Sequence, residues 1–450
     1  MINSSWISEK EYKETLEEVE TTKEIERSGL PIFFEGDKIY IDDKDRHNLV
    51  IGSTGSGKTQ AVILPMLKLS MNAKESFLAN DPHGELYQKM ANSLKKKNYN
   101  VIALNFGNPV LGNNWNPLTY PYEIYKNGDY DIALGLIEEL GYYIFMSKDY
   151  KNIDPFWINS TISYFTGLVL HLFENAKAEE INLTSVGALA NQLQSKETSA
   201  KFLEELPKNS VTYIKMVGTL KAPSETKGSI LSVFNQKIER YLSRTNLSNM
   251  LSKSDFEMKD ILNNKTAIFV ISGMSSFGSN LIPLLTNQII HAANIYGKSK
   301  KRINILLDEF DTMVPIKDFT DTLNRSRGLN IRFTVAIQSY IHLLNMYSKE
   351  ELEILKMCFG NIVYLLTEDK YTLEEIASRC GTHMVNGIEE PLISLIELKT
   401  LKAFETIILT TRMLPLRTKL TPDYKINWGY EIEPAEIPQR KNEEIHIYEF

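Results

Sequence analysis

The residues that could do chemistry begin with a glycine-rich segment, Gly52-Ser-Thr-Gly-Ser-Gly-Lys-Thr59, which fits the pattern G-x-x-x-x-G-K-[ST]. An apolar run, Asn48–Ile51, precedes it, and a helical pattern, Gln60–Leu69, follows it. Glycines let the backbone curl so that its N–H groups converge on a phosphate at the positive end of a helix. We therefore expect nucleotide contacts from Gly52, Ser53, Thr54, Gly55, Ser56, Gly57, Lys58 and Thr59.

Two side chains of this P-loop have separate expected roles. Lys58 would reach the β- and γ-phosphates, and the Thr59 hydroxyl would ligate Mg²⁺. No N-K-x-D motif stands where a GTPase would carry its guanine-selecting residues. The expected cofactors are therefore ATP and Mg²⁺.

An acidic pair follows the apolar run Ile303–Leu307. Asp308 would hold the metal through water, and Glu309 would act as general base on the attacking water. An acidic strand end is common by itself, but its combination with a P-loop favours a hydrolytic site.

Polar residues around a later strand favour an oligomeric motor over a metabolic kinase. Gln338 ends the apolar run Ile331–Ile337, where its amide could sense the γ-phosphate. Arg325 and Arg327 lie just upstream, and an arginine supplied by a neighbouring subunit would stabilise charge in the transition state. Either arginine is also compatible with an ordinary surface charge.

The elements that must position these residues alternate in type. From Ile32 onward, short β-branched runs alternate with helical stretches, which is typical of a parallel sheet covered by helices. Strands disappear between about Tyr120 and Asp260 and then resume, so an all-α region interrupts an α/β domain. The segment Ser8–Ser28 is rich in Glu and Lys and predicts an exposed helix.

Composition excludes several classes of protein. The chain has 450 residues, a net charge of −7 and 43% hydrophobic residues, which argues for a globular and mildly acidic protein. Its longest apolar clusters are far shorter than the ~20 residues of a membrane span, and its beginning is unlike a signal peptide. With only Cys358 and Cys380, a reducing cytoplasmic setting is expected.

Taken in order, the motifs resemble those of the type IV coupling proteins, the TraG-like and VirD-type ATPases of conjugation and type IV secretion. The resemblance extends from about Asp43 to Lys425. Beyond the P-loop, it rests on Asn80-Asp-Pro-His-Gly-Glu-Leu-Tyr87, Asn114-Trp-Asn-Pro-Leu118, Asp154-Pro-Phe-Trp157, Leu306-Leu-Asp-Glu-Phe310, Arg325-Ser-Arg327 and Gln338-Ser339. His83 departs from the pattern, because the family usually has lysine there.

The resemblance implies a RecA-like P-loop NTPase domain with a mostly parallel sheet and an inserted all-α domain that recognises substrate. We place an N-terminal helical segment at 1–31, the nucleotide-binding domain at 32–174 and 225–430, the all-α insertion at 175–224 and an exposed tail at 431–450. It also implies homo-hexamers and identifies Arg327 as the better candidate for the trans-acting arginine. The amino-terminal membrane helices of the family are absent, so we expect either a soluble form that reaches the inner face of the membrane through a partner or a truncated form.

The resulting hypothesis is an ATPase with Lys58, Glu309, Arg327 and Gln338 as catalytic residues and with Thr59 and Asp308 at the metal. It would move single-stranded DNA, or a relaxase attached to DNA, towards a type IV secretion channel. One alternative is an FtsK- or HerA-like translocase of duplex DNA. The other is a nucleotide-gated adaptor that presents protein cargo.

Overall fold

The computed structural model of the protein describes residues 4–146, 154–273 and 276–450. They divide into two compact units. The first contains residues up to Ile102, Lys259–Val270 and Ile290–Glu436, and the second contains Ala103–Met258, Ile271–Ile289 and Ile437–Phe450. The strands, in chain order, are β1 (Glu17–Glu20), β2 (Leu30–Glu35), β3 (Lys38–Asp42), β4 (His47–Gly52), β5 (Ser76–Asn80), β6 (Asn100–Asn105), β7 (Thr266–Ile271), β8 (Ile303–Leu307), β9 (Ile331–Ile337), β10 (Phe359–Leu366), β11 (Thr382–Val385), β12 (Ile388–Pro391), β13 (Glu405–Thr410) and β14 (Leu416–Lys419).

A nine-stranded sheet, in the order β14-β13-β10-β4-β9-β8-β5-β7-β6, confirms the predicted mostly parallel α/β architecture. From β10 through β7, each neighbouring pair is parallel, whereas β13 runs antiparallel to both β10 and β14. The residues of the central parallel strands are buried on both faces of the sheet, which agrees with the near-continuous apolar runs of the sequence. The carboxyl ends of the parallel strands therefore meet at one edge, where open α/β sheets bind ligands.

Helices connect many of these strands. Those in chain order are α1 (Glu9–Lys13), α2 (Leu64–Asn72), α3 (Glu85–Lys96), α4 (Thr119–Lys126), α5 (Tyr130–Phe145), α6 (Pro155–Asn175), α7 (Leu183–Gln192), α8 (Lys196–Glu205), α9 (Val211–Leu220), α10 (Ser224–Leu242), α11 (Thr245–Met250), α12 (Met258–Asn263), α13 (Ser276–Tyr296), α14 (Phe319–Gly328), α15 (Tyr340–Met346), α16 (Lys349–Cys358), α17 (Lys370–Cys380) and α18 (Leu395–Lys399). Among the described residues, no helix combines the length and the apolar character that crossing a membrane requires.

The prediction of a helix across Ser8–Ser28 is wrong beyond Lys13. After α1 the chain forms β1, which pairs antiparallel with β3 in a separate three-stranded sheet. Glu18 accepts hydrogen bonds from the Lys38 ammonium and, at 2.8 Å, from the Tyr40 hydroxyl. The Glu-rich composition had indicated a solvated helix, but pairing with a distant strand decides the local structure, as it often does for short segments.

The second unit is built mainly from the helices α4–α11, a wider span than the 175–224 insertion expected from sequence. Its largest buried side chain, Trp115, belongs to the Trp-Asn-Pro-Leu segment. The flanking amides hold this segment in place: Asn114 Nδ2 donates to the carboxylate of Asp255, and Asn116 Nδ2 donates to the carbonyl of Ile181 at 2.6 Å. The Trp-Asn-Pro-Leu segment therefore connects distant parts of the helical unit through hydrogen bonds.

The carboxyl-terminal tail is mostly exposed, as expected, but it is also anchored. Arg440 is only 7% exposed within the second unit. Its guanidinium donates to the Asn114 and Asn249 side-chain oxygens at 3.0 and 2.6 Å and to the carbonyl of Pro109. Because five donors in a fixed fork find acceptors there, residues 437–450 belong to the helical unit rather than to a free tail.

Candidate nucleotide-binding site

A cavity of about 360 Å³ opens at the carboxyl edge of the sheet in the first unit. The register explains why the predicted residues meet there. Ile51 of β4 lies opposite Ile337 of β9, and β8 is β9's other neighbour, so the residues after these strands share one edge. The cavity is lined by P-loop residues, by the segment Asp81–His83, and by Asp308, Glu309, Gln338 and Phe404.

The P-loop has the backbone that its glycines predict. Gly55 and Gly57 adopt φ values of +79° and +97°, which side chains with a Cβ rarely tolerate. Six of the eight predicted residues line the cavity; Gly52 and Ser56 do not. The expected helix begins as a wider π turn over Thr59–Ile63 and continues as α2, and such π turns are frequent at functional sites.

Lys58 is folded back against its own loop. Its ammonium donates to the carbonyls of Gly52 and Ser53, and only 8% of the residue is exposed. Burial lowers the pKa of Lys58, and the nearby carboxylates of Asp308, Asp311 and Glu309 oppose that shift. A buried cation held by carbonyls alone has unused capacity for an anion, and phosphate is the ligand that this loop geometry suits.

Thr59 and Asp308 meet as the metal hypothesis requires. The Thr59 hydroxyl donates to Asp308 Oδ2 at 2.9 Å, although the two residues are 249 positions apart. Burial raises the pKa of Asp308, and Lys58 together with the Thr59 hydrogen bond opposes the shift. Asn80 at the end of β5 donates to the Asp308 carbonyl and fixes the strand end. A hydroxyl and a carboxylate are the oxygen ligands that suit Mg²⁺, so the donor set fits this ion.

Glu309 follows immediately with an unusual backbone. Its φ of +51° is left-handed, which is uncommon for a residue with a side chain and which occurs preferentially at functional sites. The half-buried side chain lines the cavity beside Asp308. Burial and the Asp308 charge raise the pKa of Glu309, whereas His83 and Lys58 lower it. A raised pKa brings a carboxylate nearer to the range in which it accepts a proton effectively.

Gln338 lies on the cavity wall and is held by a residue that sequence reasoning missed. Its backbone N–H donates to Asp311 Oδ2 at 3.3 Å, and His342 Nδ1 lies 2.6 Å from the same oxygen. The Asp311 side chain is only 2% exposed. Nothing in the sequence distinguishes Asp311 from an ordinary turn aspartate, because its partners come from the end of β9 and from α15.

The two arginines are not brought to this cavity within the chain. Arg325 and Arg327 are exposed in the last turn of α14, which leads into the amino end of β9. Burial lowers the pKa of His47, the first residue of β4, to about 4. The charge of Arg327 lowers this pKa further, so Arg327 lies near His47. Both arginines therefore lie at the sheet edge opposite the P-loop.

The segment after β5 contributes Asp81, Pro82 and His83 to the lining of the cavity. Asp81 is buried, and burial raises its pKa to about 6 against the opposing hydrogen bonds from backbone N–H groups. One of these comes from Tyr87 at 2.8 Å, so Asp81 ties down the start of α3. His83 lines the cavity where the family usually has lysine.

Three other basic or aromatic residues are buried and have structural roles. Arg302, in the basic cluster Lys298–Arg302, is 2% exposed and donates to the carbonyls of Ser28 and Asp43 and to Asp45. Tyr143 and Phe145 are fully buried in the helical unit. The sequence did not predict a role for Phe404 in the cavity, because no local pattern connects this residue with the P-loop.

Comparisons with known proteins agree with the geometry. The chain is similar to the type IV secretion system-coupling protein VirD4 of Bartonella quintana (strain Toulouse), with 23% identity over 361 residues that cover 76% of this chain and 54% of that protein. It thus spans about half the length of the curated relatives it matches. The fold of the plasmid coupling protein TrwB, in its complex with ADP and Mg²⁺, matches with a TM-score of 0.69 at 15% identity, over 98% of this chain and 96% of TrwB.

A more distant fold match is VirB4 of Thermoanaerobacter pseudethanolicus, with a TM-score of 0.54 at 12% identity over 89% of this chain and 98% of that one. Residues 2–418 match the sequence model of the family described as "Type IV secretory system Conjugative DNA transfer". This match covers most of the chain. The chain therefore belongs to the type IV secretory system conjugative DNA transfer family.

Proposed function

We propose that the protein is an ATPase whose hydrolysis drives DNA transfer through a type IV secretion system. The observation that carries the enzymatic part is the hydrogen bond between Thr59 and Asp308, in a cavity that also holds Lys58 and Glu309. These four groups come from two distant parts of the chain. Together they supply a cation for the phosphates of the nucleotide, two oxygens that would hold Mg²⁺, and a base for the attacking water.

Each group has a distinct part in the proposed reaction. The P-loop N–H groups and Lys58 bind the β- and γ-phosphates of ATP. Thr59 and Asp308 would hold Mg²⁺, which would neutralise charge on the phosphate oxygens. Glu309 accepts the proton of the attacking water, and the Gln338 amide contacts the γ-phosphate. An arginine from a neighbouring subunit, Arg327, stabilises the transition state and makes turnover depend on a ring, for which we propose a homo-hexamer.

Family membership supports the cargo and the place of action. The proposed substrate is single-stranded DNA carrying a relaxase, delivered to a secretion channel or to a membrane-anchored partner at the inner face of the membrane. The net charge of −7 means that any DNA contact must use local basic patches rather than overall charge.

The test is ATP hydrolysis with and without single-stranded DNA at low salt, because phosphate contacts weaken steeply as salt rises. Lys58→Ala removes phosphate binding, and Glu309→Gln keeps shape while removing the base. Turnover that single-stranded DNA stimulates and that both variants abolish supports the proposal. Stimulation by duplex DNA alone would favour the duplex translocase. Turnover indifferent to both DNA forms, in a verified oligomer, would favour the protein-cargo adaptor.

A further inference from the structure

We propose that Phe404 is the residue on which the base of the bound nucleotide stacks, an inference that rests on the nucleotide-binding function proposed above. Its ring lies directly on the P-loop: a Cβ added to Gly57 would come within 2.7 Å of Phe404 Cε1. The ring also lines the cavity, and it is the only Phe, Tyr or Trp side chain among the described residues that do so.

Strand topology places this residue at the phosphate edge although it lies far along the chain. β10 runs parallel to β4, and Leu366 at its carboxyl end pairs with Gly52 at the start of the P-loop. β13 runs antiparallel to β10, so β13 begins where β10 ends. The residue that precedes β13 is Phe404, and it must therefore emerge beside the P-loop.

The backbone at Phe404 has a positive φ, which is strained for a residue with a side chain. The N–H of Glu405 donates to the carbonyl of Lys402 at 2.9 Å, which closes a tight turn. Phe404 occupies the third position of that turn with φ of +67°, where turns of this kind favour Gly or Asn. A bulky residue with positive φ is a genuine outlier, and such outliers concentrate at ligand-binding sites.

The turn is also held from the other side. Leu420 N–H donates to the Phe404 carbonyl at 2.9 Å, which helps to fix the backbone of this residue beside the P-loop. The ring is half-buried, and its edge meets Tyr424, with centroids 6.5 Å apart at 67°. Tyr424 is 66% exposed and provides a second aromatic surface next to the first. The result is a fixed apolar platform beside the phosphate loop.

A phenyl ring recognises the flat face of a base rather than its hydrogen-bonding edge. The ligand class is therefore nucleoside di- and triphosphates in general, and we expect ADP and GDP to bind with similar affinity. Base–aromatic stacking contributes about 1–3 kcal/mol per base, so removing the ring should lower the affinity roughly 5- to 150-fold.

The experiment compares the binding of ADP and of inorganic tripolyphosphate, which has phosphates but no base, by calorimetry on the full chain with Mg²⁺. The variants are Phe404→Ala, Phe404→Leu and Phe404→Tyr. All three keep a Cβ and hence the same backbone strain, so differences among them report on the ring. Leu retains apolar bulk without a π face, and Tyr retains the π face.

We expect Phe404→Ala and Phe404→Leu to lower the affinity for ADP about tenfold or more. Their affinity for tripolyphosphate should stay at the wild-type value. Phe404→Tyr should keep the wild-type affinity for both ligands. Equal weakening of ADP and tripolyphosphate would overturn the proposal, because the ring would then only support the P-loop. Wild-type ADP affinity in Phe404→Leu would overturn stacking as the cause. If the wild-type chain bound neither ligand, the proposed function itself would fail, and this result is distinct from the other two.

Discussion

The position of Arg327 allows a quantitative test of a shared active site. Arg327 precedes β9, and Gln338 follows it. The strand has seven residues, which span about 20 Å at ~3.3 Å per residue. One arginine side chain cannot cross that distance, so the role proposed for Arg327 requires the P-loop of another subunit. Removing a trans-acting arginine costs about 10³- to 10⁵-fold in turnover, so Arg327→Ala should be almost inactive.

Mixing two inactive proteins should restore a predictable fraction of activity. In a ring, each site combines the P-loop of one subunit with the arginine of the next, a head-to-tail interface. In an equal mixture of Arg327→Ala and Lys58→Ala, a site works only when an intact Lys58 faces an intact Arg327. Random assembly gives this pairing at about one quarter of the sites, so turnover should approach a quarter of wild type.

The assay is steady-state ATP hydrolysis on mixed rings whose composition is verified by native mass spectrometry. Arg325→Ala is the matched control: the residue is also exposed in the last turn of α14, two positions away, and it should retain activity. Mixtures of Arg327→Ala with a Lys58→Ala/Arg327→Ala double variant should stay inactive. Absence of recovery in verified mixed rings, or full activity of Arg327→Ala by itself, would refute the trans assignment.

Two further predictions concern pH and stability. Burial and the charge of Asp308 raise the pKa of Glu309. Because the base must be ionised to act, kcat should fall as pH drops through a value above the usual pKa of ~4.3 for glutamate. A pH profile in which kcat falls only at or below that value would contradict the role. The Lys68–Asp423 pair joins at 2.8 Å with side chains only 1% and 4% exposed. Asp423→Asn should therefore lower the free energy of unfolding by about 3–5 kcal/mol, since it leaves a buried charge without its partner. Adding Lys68→Met should recover much of this loss in guanidinium denaturation; a double variant no more stable than the single one would count against the pair.

The sequence was sufficient for the parts of the site that are local or follow from strand order. The P-loop consists of one strand, one turn and one helix in continuous sequence, and its glycine pattern can be recognised without a structure. Asp308 and Gln338 could be predicted because each directly follows an apolar run, and parallel strands bring their carboxyl ends to the same edge. The mostly parallel sheet and the helical region between its strands were likewise predicted from hydrophobic periodicity.

Tertiary structure alone decided the rest, because the deciding partners are distant in sequence. Segment Glu17–Glu20 is a strand only because β3 offers it an edge. Asp311 matters only because Gln338 and His342 converge on it. Phe404 reaches the P-loop only because β13 reverses direction beside β10. Periodicity records which face of an element is buried, but it does not record what that face meets, and these residues owe their roles to what they meet.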